Sequence, residues 1–122
     1  MSQTANSVFV IYKKDISEVD QISNDLNLNP DKISLGNNQG HNSVWKMFCK
    51  NKDHDLEEQL EHWVNLLKDK ASVLQKFKTE GWVIEIDCLV QPDDGAALLY
   101  FEPRLLKSIS CLNISLKVRF WD

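Results

Sequence analysis

Two hydrophobic periods alternate along this chain, and each switch between them marks a change of element. From Ser7 to Lys13 the run SVFVIYK is short, β-branched and aromatic, which predicts a buried strand. From Asp15 to Leu28 the apolar residues Ile16, Val19, Ile22, Leu26 and Leu28 recur at helical steps, with Asp15 or Ser17 available as a cap. Asn29-Pro30 stops that helix, because a residue before proline is driven out of the α region. Lys32 to Ser43, KISLGNNQGHNS, holds two glycines among Asn and Ser and reads as an irregular loop, and Val44 to Lys50 follows as a strand. The strongest helical stripe runs from Asp55 to about Thr79 through Leu56, Leu60, Trp63, Val64, Leu67, Ala71, Leu74 and Phe77. A break near Lys70 to Ser72 is open within it, and Gly81 ends it.

Trp82 to Val90 then alternates with period two, Trp82, Ile84, Ile86, Cys88 and Val90 on one face and Glu85 and Asp87 on the other. Gln91 to Gly95 reads as a turn and Ala96 to Phe101 as the returning strand of a hairpin. Pro103 to Leu112 is a short helix with proline in its first turn, and Asn113 to Trp121 is a closing strand with Lys117 and Arg119 on its polar face. If the strands of Glu85/Asp87 and Lys117/Arg119 are neighbours, their opposite charges help set the register. The order β-α-loop-β-α-β-β-α-β predicts an α+β fold with a mixed or antiparallel sheet and helices on one face, in a single domain over residues 1–122.

The length of 122 residues allows a core without disulfide or metal staples, and the 43% hydrophobic content is that of a globular chain. A net charge of −4 argues against nucleic acid as a partner, since that affinity rests on clustered Lys and Arg. Cys49, Cys88 and Cys111 are odd in number and far apart, so neither a zinc site nor a disulfide framework is expected, and a reducing cytoplasm fits. The opening residues lack the pattern of a secretory signal, and no apolar run is long enough for a membrane span, so no membrane association is expected.

Taken together, Pro30, Gly40, Trp45, the LEEQLEHWVNLL helix and the closing EPRLLKSISCLNISLKVRFW resemble a bacterial family of uncharacterised domains, domain-of-unknown-function family 4279, over nearly the whole chain. The closing segment is the best match, and the loop from Lys32 to Ser43 departs in detail. The resemblance implies the fold and no established activity.

Candidate chemistry centres on HDLEEQLEHW, in which His54, Glu58 and His62 stand four residues apart. Asp55 with Glu58 forms a capping-box pattern, which leaves His54 outside the helix. Even within one helix, His54 and His62 would lie about 12 Å apart along the axis, too far for a single zinc with bonds of about 2 Å. No metal, no cofactor and no catalytic residue is therefore expected; the sequence holds no Gly-x-Ser-x-Gly elbow, phosphate-binding loop or dinucleotide fingerprint. His41 is a lone loop histidine, and Asp93-Asp94 are accounted for by the turn. Two readings remain. In the first, the chain is a small acidic cytosolic binding module and not an enzyme, an immunity protein that neutralises a cognate toxin domain, often a basic nuclease. Its binding candidates are the acidic residues Asp53, Asp55, Glu57, Glu58 and Glu61 and the tryptophans Trp45 and Trp121, as interface anchors. In the second, it is a small-ligand-binding or regulatory domain, or an enzyme of unrecognised type, that uses Leu35 to Ser43 as a lid over a pocket near Trp45.

Overall fold

The structure, a computed structural model, describes residues 3–14, 19–36, 42–50, 54–92 and 99–120. Strand β1 (Gln3–Lys13) leads into helix α1 (Asp20–Leu26), the short strand β2 (Lys32–Ser34) and β3 (Ser43–Phe48). Helix α2 (Leu56–Leu67), a 3₁₀ turn over Lys68–Lys70 and helix α3 (Ala71–Thr79) follow, then β4 (Val83–Pro92), α4 (Pro103–Cys111) and β5 (Ser115–Phe120). The sheet order is β2-β3-β1-β4-β5, antiparallel except for the parallel pair β4–β5.

Alternation in β1 decides the layering. Ala5, Ser7, Phe9 and Ile11 are buried toward the helices, while Asn6, Val8, Val10 and Tyr12 point to the opposite face. Across the helix-covered face, Ile84, Ile86, Cys88 and Val90 of β4 and Trp45 of β3 join the same core, with Ile22 and Leu26 of α1, Leu56, Leu60, Trp63 and Leu67 of α2, Leu74 and Phe77 of α3, and Leu105 and Ile109 of α4. Phe9 sits between the two large tryptophans, edge-on to Trp45 at 5.9 Å and tilted against Trp63 at 5.8 Å. The chain is thus an α+β layer with helices on one face.

Two sequence expectations are corrected. Lys32–Ser34, read as irregular, forms an edge strand paired to β3, held where Asp31 accepts the Phe48 N–H (2.7 Å) and a Lys50 ammonium hydrogen bond. The expected return strand of a hairpin is not formed at Leu99–Phe101, which are irregular; Ala96–Leu98 and the turn residues Asp93–Gly95 lie outside the described residues. The neighbours of β4 are instead β1 and β5, and α4 supplies the crossover that a parallel pair requires. The strands of Glu85/Asp87 and Lys117/Arg119 are neighbours, with Asp87 opposite Lys117.

Candidate protein-binding face

Helix α2 starts where its capping box closes. The Asp55 carboxylate accepts the Glu58 N–H at 2.9 Å, and Glu58 Oε1 accepts the Asp55 N–H at 3.4 Å. His54 therefore lies before the helix, outside the row that Glu58 and His62 occupy, and its carbonyl accepts a hydrogen bond from Gln59 Nε2 at 3.0 Å. His62 rests edge-on against its neighbour Trp63.

A buried polar network fixes how α2 is rotated. Trp63 Nε1 donates to Ser7 Oγ (2.9 Å), Ser7 Oγ donates to Gln59 Oε1 (2.7 Å), and Gln59 Nε2 also donates to the Ala5 carbonyl (2.8 Å). With Leu56, Gln59, Leu60, Trp63 and Leu67 turned inward, Glu58 and Glu61 are exposed and Glu57 is half-buried. Glu102, the residue before α4, approaches this surface from the neighbouring helix. Partial burial and the charges of Glu102, Glu61, Asp55 and Glu58 push the Glu57 carboxyl above its ordinary range. Among the described residues, none of these five carboxylates is in an ion pair. Beside them a cleft of about 280 Å³ lies between Glu61, Val64 and Asn65 of α2 and Glu102, Arg104, Leu105 and Ser108 of α4 and its cap.

The sequence-derived candidates divide accordingly. Asp55, Glu57, Glu58 and Glu61 come together on one surface, whereas Asp53 and Trp121 lie outside the described residues. Trp45 is not a surface anchor: it is 0% exposed, and its Nε1 donates to Ser23 Oγ at 2.9 Å, tying α1 to the sheet. His41 and most of the Leu35–Ser43 segment lie outside the described residues, and the Gly36 N–H donates to Ser43 Oγ across its ends. Glu102 and Arg104 were missed, because nothing local says that the start of α4 abuts the start of α2. No group of three or more His, Cys, Asp or Glu among the described residues is arranged to hold a metal ion, and no described helix is long and apolar enough to cross a membrane.

A mixed five-stranded sheet, covered on one face by helices that bring five carboxylates together, defines an α+β domain with an acidic helical surface. The family follows from the sequence as a whole: the chain matches the model of the domain of unknown function DUF4279 over residues 3–122, and it belongs to that family. No curated protein and no solved structure matches it.

Proposed function

We propose that this chain is a protein-binding module of the bacterial cytoplasm that neutralises a cognate toxin domain with a basic surface, an immunity role of the kind used in contact-dependent growth inhibition. The observation that carries this reading is the convergence of Asp55, Glu57, Glu58, Glu61 and Glu102 with no compensating cation in an ion pair among the described residues. Like charges held together cost folding stability, and the cost is recovered when a cationic partner neutralises them. The adjoining cleft, with Val64 and Leu105 in its walls and Arg104 at its side, offers a recess for a partner side chain. On this reading the chain is an inhibitor and not an enzyme.

The test uses the tagged chain and the C-terminal domain encoded immediately upstream of its gene. Co-purification, and rescue of growth when that domain is expressed, are the expected results. Charge reversal of Glu57 and Glu61 to Lys should weaken binding about 100-fold while leaving the fold intact by circular dichroism. Unchanged affinity would remove this surface, and toxicity without rescue would remove the immunity role.

A further inference from the structure

The sheet face turned away from the helices carries a hollow of about 180 Å³ that the acidic surface does not involve. Register builds it: Val8 of β1 stands between Phe48 and Asp87, and Asn6 stands beside Leu89, which in turn faces Arg119. Lys46, opposite Val10, closes the other side.

Three observations indicate what fits. First, Asn6 and Asp87 line the hollow, and the Oδ1 of each is buried without a hydrogen-bond partner, so each is an acceptor that lacks a donor. Glu85, two residues before Asp87 on the same strand face, adds a second acid, and burial and the Asp87 charge push its carboxyl up. A cation arriving at Asp87 relieves that repulsion. Second, Lys46 and Arg119 border the hollow, and neither is in an ion pair among the described residues. Third, the floor and wall are apolar, Val8, Val10, Leu89 and the partly exposed ring of Phe48.

We propose that this hollow binds a small apolar α-amino acid as its zwitterion, the ammonium donating to Asp87 and Asn6, the carboxylate meeting Arg119 or Lys46, and the side chain lying on Val8 and Phe48. Polyamines are opposed by Lys46, Lys117 and Arg119, and dicarboxylates by Asp87 and Glu85. The volume lies below the roughly 300–1,000 Å³ of drug-sized sites, which suits a ligand of this size.

Calorimetric titration of the full chain at pH 7 with leucine, valine and methionine tests it, alongside N-acetyl-leucine, which lacks the ammonium, and isoamylamine, which lacks the carboxylate. Saturable binding of at least one amino acid is expected, weakened at least tenfold by either deletion. Amide resonances of β1 and β4 should shift on the wild-type chain. Asp87→Asn and Asn6→Ala should each weaken binding at least tenfold, whereas the Glu57/Glu61 charge reversal should leave it unchanged. The proposal is overturned if no amino acid binds at millimolar concentration, if isoamylamine binds as well as leucine, or if a folded Asp87→Asn variant keeps full affinity.

Discussion

Ser7 is a hydroxyl sealed between β1 and α2, accepting from Trp63 and donating to Gln59, so the polar atoms of three residues depend on one small side chain. Ser7→Ala leaves the Trp63 N–H and Gln59 Oε1 buried and unpaired, and each orphan costs about 1–3 kcal/mol. A loss of about 2–4 kcal/mol in urea denaturation is therefore expected, and a loss below about 0.5 kcal/mol would show that water replaces the hydroxyl. Thiol reactivity is also decided residue by residue. Cys49 and Cys88 are buried, and burial pushes the Cys88 thiol up to about 12, so its nucleophilic thiolate is scarce at neutral pH. Cys111 is exposed on α4. Titration of the native chain with a thiol reagent should give one fast-reacting group, becoming three in denaturant; fast modification of Cys88 would contradict its packing.

At the scale of elements, local chemistry governs where each helix ends. Gly81 has φ +95° and follows α3 in a Schellman arrangement, its N–H bonding the Lys78 carbonyl (3.1 Å) while the Trp82 N–H bonds that of Phe77 (3.0 Å). A Cβ on Gly81 would meet only the end of the Lys13 side chain, at 3.4 Å, so Gly81→Ala should cost about 1–2 kcal/mol through backbone strain alone. Asn27 and Asn113 take left-handed φ values of 55° and 59° at the ends of α1 and α4. The Gly81 stop, like the alternation of β4 and the capping box of α2, was legible because each depends on residues a few positions apart, whereas Asn27 and Asn113 fall within the first helix and the closing strand that the sequence pattern predicts. The partners of the strands were not legible. Alternation says that Ile84, Ile86 and Cys88 share a face, but not that β5 rather than a returning hairpin strand lies alongside. The site divides in the same way. Four carboxylates at the start of α2 could be read from their spacing, whereas Glu102, Trp45's bond to Ser23 and the hollow that Asn6 shares with Asp87 are products of tertiary assembly.

For the whole molecule, four carboxylates pull stability in opposite directions as pH changes. Hydrogen bonds from Gln21 and Lys76 hold Asp25 below its ordinary range, and Lys50 and the Phe48 N–H do the same for Asp31. Their stabilisation is present above the unfolded carboxylate range, roughly pH 4, and is lost as pH falls through the lowered native values. Glu57 and Glu85 are shifted the other way, each by burial first and then by neighbouring acids. The native state grips their protons more tightly than the unfolded chain, so stability falls as pH rises from the unfolded range through the raised native values. The net charge of −4 at pH 7 adds general repulsion in the same direction. The melting temperature should therefore peak on the acidic side of neutrality and decline toward pH 7. Glu85→Gln should recover about 0.5–1 kcal/mol at pH 7 and nothing below the unfolded carboxylate range, and Glu57→Gln should act in the same direction. The two substitutions separate in binding. Loss of the Glu57 charge should weaken capture of a basic partner even as it stabilises the free chain, whereas loss of the Glu85 charge, on the opposite face of the sheet, should leave that capture intact. Melting curves from pH 4 to 8, with partner titrations at pH 7, test both halves. A Glu57→Gln variant that melts higher and binds as tightly as the wild type would mean that the acidic convergence on α2 and α4 is not a binding surface.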